Sequence, residues 1–239
     1  MVWQATLGRP GIAGQDAVVA GFVRAAAQGR IAGAYLFLGP PGVGKGTLAL
    51  ALAKSLVCQK PQPGLVACGV CASCVQADGG SHPDIEVVAK PADRATIPLE
   101  AFIGSAEHRM REGLCWRLLL RPALGDRKVA IILDADHLAE EAANCLLKTL
   151  EEPPDGAVII LVGTALERQL PTIRSRCQIV RFQPLDAETI AAILTAETAA
   201  ARDQADPALV QARAAAAGGS LSRARLLLDP AVAEFRVRL

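Results

Sequence analysis

A chain of 239 residues, 51% hydrophobic but only 3% aromatic, has apolar material enough for one large or two ordinary domains, which excludes an intrinsically disordered protein. Its 25 Lys+Arg against 24 Asp+Glu leave a formal charge of +1, so a nucleic-acid role would need a local patch or protein partners. Each apolar run is far shorter than the roughly 20 residues that span a bilayer, and no membrane span is expected.

The N-terminus, Met1-Val-Trp-Gln-Ala-Thr-Leu-Gly8, lacks the charged segment and long apolar block of a secretory signal, which points to the cytoplasm and to reduced thiols. Ala34-Tyr-Leu-Phe-Leu38 is a continuous apolar run, the pattern of a strand covered on both faces in a parallel sheet. It leads directly into Gly39-Pro-Pro-Gly-Val-Gly-Lys-Gly-Thr47, which opens a helix running to about Cys58. In such a loop Gly39, Gly42 and Gly44 let backbone N–H groups converge on phosphates, the helix N-terminus adds positive potential, and Lys45 reaches the β and γ phosphates. A glycine turn that merely joins strand to helix is the bland alternative. Gly46 stands where a Ser or Thr hydroxyl usually meets Mg²⁺, and Thr47 comes one residue late. The site therefore suits ATP or ADP better than it suits Mg²⁺.

Cys58, Cys68, Cys71 and Cys74 follow with the spacing C-x9-C-x2-C-x2-C. Cys-x2-Cys turns aim two thiolates at one ion, and four sulfurs close a tetrahedral structural zinc site with no open position for catalysis. Disulfides are the rival reading, disfavoured in a reducing compartment. Ile85-Glu-Val-Val88 is a further strand candidate. Cys115, Cys145 and Cys177 stand singly in apolar surroundings and read as inert core residues.

Val129-Ala-Ile-Ile-Leu133 is the next buried strand, followed by Asp134-Ala-Asp136-His137. By periodicity Asp134 lies at the strand's C-terminal end, where a carboxylate can hold Mg²⁺ through water; an acidic helix-capping turn is the alternative. His137 reads as a solvated turn residue. Ala143, Leu146, Leu147 and Leu150 then recur at helical spacing until Pro153-Pro154 stops the helix. Val158-Ile-Ile-Leu-Val162 and Gln178-Ile-Val-Arg-Phe182 are the last strand candidates. Gln183-Pro-Leu-Asp186 reads as a turn and N-cap, and from there to Leu239 the sequence is Ala-rich helix, so a domain boundary falls near residue 184.

The block Ala142-Ala-Asn-Cys-Leu-Leu-Lys-Thr-Leu-Glu-Glu-Pro-Pro154, together with Ser175-Arg-Cys177, resembles the bacterial clamp-loader subunits of the AAA+ ATPase class. The four-cysteine module inserted after the P-loop helix strengthens the likeness, which extends from Gly14-Gln15 to about Phe182 and more weakly onward. Within the family it is nearer to the delta-prime subunits of DNA polymerase III than to the gamma/tau motor subunits. The resemblance implies an α/β fold: a RecA-like parallel sheet flanked by helices over residues 1–183, a zinc module at about 58–80, and a small helical lid over 184–239. The family's collar domain would be absent from a chain ending at Leu239.

Departures from the family pattern set the expected subtype. Counting back from Asn144, the family's Walker B aspartate falls on Leu133 and its catalytic glutamate on Asp134, which overrides the periodicity reading. Leucine cannot position a metal-bound water, and Asp134 is one methylene short. Thr164 matches the sensor-1 position. In Gly219-Ser-Leu-Ser-Arg-Ala224, Ser222 occupies the place of the sensor-2 arginine and Arg223 is displaced by one. Arg176 is intact; the resemblance implies an arginine finger acting in trans on a neighbour's ATP, whereas composition alone suggests a surface arginine paired with a carboxylate. The expectation is a delta-prime-like stator with little ATPase activity of its own. Its implied partners are gamma/tau, delta, the sliding clamp and primed DNA reached through the complex. The alternatives are a gamma/tau-like motor and, from Gly-Lys-Gly-Thr alone, a nucleotide kinase.

Overall fold

The structure, a computed structural model, describes residues 12–108, 111–200 and 206–229. The N-terminal stretch read for a secretory signal and the end of the helical stretch, residues 230–239, lie outside the described residues. Among the described residues five strands, β1 (Ala34–Leu38), β2 (Ile85–Val88), β3 (Lys128–Ile132), β4 (Ala157–Val162) and β5 (Gln178–Arg181), form one parallel sheet in the order β2-β3-β4-β1-β5. Ala34 pairs with Ile159 of β4 and Tyr35 with Gln178 of β5. The three continuous apolar runs take the inner positions, where every residue is buried, and the two weaker candidates take the edges.

Alternation within each inner strand divides the core into two. Leu36, Leu38, Ile132, Ile159 and Leu161 pack on one face with Leu146 and Leu150 of α6 (Glu140–Glu151). Tyr35, Phe37, Val129, Ile131 and Ile160 pack on the other with Phe22 of α1 (Asp16–Ala27) and Leu48 and Leu52 of α2 (Lys45–Val57). Full burial of each such aliphatic side chain is worth about 1.5–3 kcal/mol. Phe22 sits 5.0 Å from the Tyr35 ring and 5.7 Å from that of Phe37, which in turn meets Phe182 at 5.1 Å.

Two details differ from the sequence expectation. The strand expected over 129–133 runs one residue earlier: Leu133 still donates its N–H to Val88 O at 2.8 Å, but Asp134 turns left-handed (φ 56°) and ends the ladder. Between β2 and β3, where no helix was anticipated, lie the short α4 (Glu100–Ile103) and α5 (Gly113–Leu119). The loop from α5 into β3 is held by Asp84, a carboxylate with no exposed surface that accepts the N–H groups of Ala123 at 2.7 Å and Leu124 at 2.9 Å.

After β5 the described residues build three helices: α8 (Ala187–Ala200), α9 (Pro207–Ala216) and α10 (Leu221–Leu228) enclose a separate core of Leu185, Ile190, Leu194, Val210 and Leu221. Asp186 caps α8 as read from the sequence, accepting from Thr189 N at 2.6 Å and its hydroxyl at 2.9 Å. The connection at the junction is tied by buried Gln15, whose amide donates to Gln183 O at 2.8 Å and to Val43 O at 3.4 Å. Among the described residues no helix is long and apolar enough to cross a membrane.

Candidate functional site

A cavity of about 560 Å³ opens at the C-terminal ends of β1, β3 and β4, the edge at which parallel α/β sheets bind ligands. Its floor is the glycine-rich loop. Gly44 is left-handed (φ 93°) and turns the chain into α2, whose first N–H groups are free for an anion. Gly42, Gly44, Lys45, Gly46, Thr47 and Thr164 all line the cavity; Gly39 lies behind them, its N–H donating to Thr164 O at 3.2 Å. Buried Lys45 folds back on the loop, its Nζ donating at 2.6 Å to both Gly39 O and Pro40 O. Burial lowers its pKa below the ordinary lysine value, with nearby Asp136 pushing the other way.

Beside residue 46, where a hydroxyl usually meets a divalent ion, the wall is the apolar side chain of Leu133. A Cβ added at Gly46 would lie 3.4 Å from Leu133 Cδ2, so leucine fills the space beside the missing hydroxyl. Asp134 and His137 line the same wall and are exposed. The organising acid is Asp136, which the sequence reading passed over. Its carboxylate accepts Thr164 N–H at 3.0 and 2.9 Å and the amide of buried Gln169, joining the ends of β3 and β4.

The start of α10 closes the cavity from above. Leu221 donates its N–H to Gly42 O at 2.9 Å, and a Cβ at Gly42 would lie 2.8 Å from Ser222 Cβ, so only glycine admits this approach. Ser222 lines the cavity as its position in the motif suggests. Arg223 does not; the arginine that α10 contributes to the wall is Arg225, one helical turn beyond Ser222, which sequence counting missed. Its Nε donates to Glu197 Oε2 at 3.0 Å and a terminal nitrogen also reaches that carboxylate.

Arg176 is outside this cavity. Its Nε donates to Glu151 Oε1 at 2.7 Å, and Nη1 donates to Thr172 O at 2.9 Å and Ser175 Oγ at 3.1 Å. It lies between α7 (Pro171–Arg174) and β5, and so at the opposite edge of the parallel sheet from its own glycine loop.

The cysteine module brings Cys58, from the end of α2, together with Cys68, Cys71 and Cys74, the last two opening α3 (Ala72–Asp78), so that all four Sγ lie within 4.8 Å of one another. Cys58 and Cys71 sulfurs are 4.0 Å apart and those of Cys68 and Cys74 3.9 Å, close to the ~3.8 Å edge of a tetrahedron with Zn–S bonds of about 2.3 Å. These separations are too long for disulfides. Backbone N–H groups of Cys68, Cys71 and Cys74 point at the sulfurs of Cys58, Cys68 and Cys71 at 3.3–3.4 Å. Although burial raises the Cys71 thiol, such donors, among them Cys74 N–H, draw it down to about 6, whereas burial pushes the Cys74 thiol up to about 12. The cluster is thus able to chelate a metal ion, and its chemistry fits zinc. Of the solitary cysteines, burial pushes Cys177 up to about 12 and raises Cys115, as expected for inert thiols.

Residues 14–186 match the family model described as DNA polymerase III, delta subunit. The delta' subunit of DNA polymerase III from Bacillus subtilis is 37% identical over 161 residues, covering 67% of this chain and 45% of that protein. The Escherichia coli delta' subunit is 34% identical over 71% of this chain and 48% of its own length. The tau subunit of the same organism is 34% identical over 93% of this chain and 32% of its own. The chain therefore spans half or less of the length of these relatives. A solved structure of the Thermotoga maritima RuvB Holliday junction branch migration motor superposes with a TM-score of 0.53 at 18% identity, covering 90% of this chain and 60% of that one, a likeness of fold.

Proposed function

Because the chain belongs to the DNA polymerase III clamp-loader family, related to the delta-prime and gamma/tau subunits, we propose that it is a delta-prime-like stator. In this role it helps load the sliding clamp onto primed DNA during replication, in the cytoplasm, alongside gamma/tau and delta. The observation that carries the reading is the apolar wall beside Gly46: a glycine loop with its lysine in place, facing Leu133 where a hydroxyl and a carboxylate are needed to hold an ion. Gly39, Gly42, Gly44, Lys45, Gly46, Thr47 and Thr164 would hold ATP or ADP, and hydrolysis by this chain would be slow or absent. Asp134, exposed on a left-handed turn, is a poor base for it.

Arg176 supplies the second half of the proposal. It lies at the edge of the sheet remote from its own cavity, which supports a role toward phosphates bound by a neighbouring subunit. Cys58, Cys68, Cys71 and Cys74 would hold an architectural zinc. The gamma/tau-like motor is the second reading, favoured by the longer alignment with tau and by Lys45 and Thr164. Turnover by the purified chain separates the two. The stator reading expects little or no ATP hydrolysis, and in the reconstituted complex Arg176→Ala should lower DNA-stimulated hydrolysis partially, other sites keeping their own arginines. Steady turnover by the isolated chain, abolished by Lys45→Ala, would establish the motor instead.

A further inference from the structure

Phosphates held in a glycine loop bring several negative charges into one cavity, and a divalent ion usually balances them. The side chains here do not fit that ion. Gly46 offers no oxygen and the Thr47 hydroxyl comes one residue late; Leu133 occupies the adjoining space, Asp136 is engaged by Thr164 and Gln169, and Asp134 is exposed on its left-handed turn. The charged side chains of the wall are Lys45, Arg168 and Arg225 against Asp134 and Asp136, an excess of one positive charge.

The two arginines are placed to use it. Arg168 ends the short turn Leu166–Arg168 after β4; its guanidinium is exposed and has no hydrogen-bond or ion-pair partner among the described residues. Arg225 approaches from α10. Glu197 engages its Nε and one terminal nitrogen, leaving Nη1 without a protein partner among the described residues, and Glu197 does not itself line the cavity. A planar guanidinium held on one side by a carboxylate is oriented to present its remaining N–H groups to a phosphate.

We propose that this cavity binds nucleoside di- or triphosphate without a divalent cation, Arg168 and Arg225 supplying the positive charge that the ion supplies in other phosphate loops. The proposal rests on the reading that the cavity holds nucleotide, and it goes further by naming what replaces the metal.

Calorimetric titration of the full zinc-loaded chain with ADP and ATP tests it. Buffers verified free of Mg²⁺ are compared with buffers holding excess MgCl₂, with no chelator present, so that the cysteine cluster keeps its metal. Affinity should change by less than about threefold between the buffers. Arg168→Ala and Arg225→Ala should each weaken Mg²⁺-free binding about tenfold, the range of one charge-assisted hydrogen bond. Arg223→Ala, outside the cavity, should leave affinity unchanged, and Glu197→Gln, which frees Arg225 of a competing charge, should tighten it. Zinc content and melting temperature confirm that each variant folds. Binding that appears only with Mg²⁺ and ignores both arginines overturns this inference while leaving nucleotide binding standing. No binding in either buffer overturns both.

Discussion

Asp136 offers the sharpest test of how the cavity is built. Its carboxylate is the common acceptor for Thr164 N–H, at 3.0 and 2.9 Å, and for the amide of Gln169, itself only 4% exposed. Asp136→Ala removes that acceptor and strands two donors near the ends of β3 and β4. A hydrogen bond to a charged group is worth about 1.5–3 kcal/mol, and water entering from the open cavity recovers part of the loss, so about 2–4 kcal/mol of destabilisation is expected. For a chain of this size that corresponds to a fall in melting temperature of roughly 4–16 °C. Asp136→Asn keeps the shape and one carbonyl oxygen for Thr164; Gln169 must turn its own oxygen toward the new amide, and the loss should be about 1–2 kcal/mol. Urea and thermal unfolding measure both, and hydrogen exchange at the Thr164 amide should accelerate in the alanine variant. An alanine variant within about 0.5 kcal/mol of the parent, the usual range of surface substitutions, would refute the reasoning.

Metal analysis of protein prepared under reducing, chelator-free conditions should find one zinc per chain, and Cys71→Ser should lose it while the glycine-loop region stays folded; a metal-free parent sinks the assignment. Asp84→Ala should cost about 1–3 kcal/mol by urea unfolding, because it removes the buried acceptor of the Ala123 and Leu124 N–H groups, although both residues are exposed and water can replace part of the loss. Burial holds the His82 imidazole below its ordinary value of 6.5, with Asp84 opposing. The unfolded chain therefore binds a proton that the fold resists, so His82's contribution is intact above about pH 6.5 and falls away as the pH drops below it. In His82→Asn, whose short side chain can still accept Asp84 N–H, the urea midpoint should depend less on pH between 7.5 and 5.5; an unchanged dependence counts against this account.

What could be read from the sequence was whatever leaves a local pattern. Strands buried on both faces write continuous apolar runs, and β1, β3 and β4 were legible as such; the glycine loop and the cysteine spacing are likewise local. The carboxylate at 136 was invisible because its partners lie 28 and 33 positions away, and a bridge of that kind leaves no periodicity. Gln15, bonded to a carbonyl 168 positions on, is hidden for the same reason. The helices α4 and α5, of four and seven residues, are too short for a periodic signal to rise above chance. Arg225 was missed because counting along the motif stopped at Arg223, whereas the face of α10 that meets the cavity recurs one turn after Ser222.

The arrangement of the sheet bears on the arginine proposed to act in trans. In a parallel sheet all C-terminal strand ends share one edge, and the glycine loop, Leu133 and Thr164 leave the sheet there. Arg176 and Glu151 precede β5 and β4 and so belong to the other edge. A chain with its phosphate cavity on one edge and its arginine on the other can serve a neighbour only head-to-tail, the heterologous contact that builds rings and arcs and that a two-fold dimer does not supply. The ion pair with Glu151 does not oppose this. Glu151 is half exposed, and an exposed pair of this kind is worth only about 0.2–1 kcal/mol. A phosphate group on an adjoining subunit, in a site emptied of water by the contact, is a stronger acceptor than that carboxylate. In the proposed role the pair would keep the guanidinium ordered and release it at little cost to a neighbour's nucleotide. Glu151→Gln should accordingly leave assembly and neighbour-site turnover close to wild type in the reconstituted complex, while Arg176→Ala lowers turnover; equal losses in both variants would mean that the pair itself, and not a freed arginine, is what the interface uses.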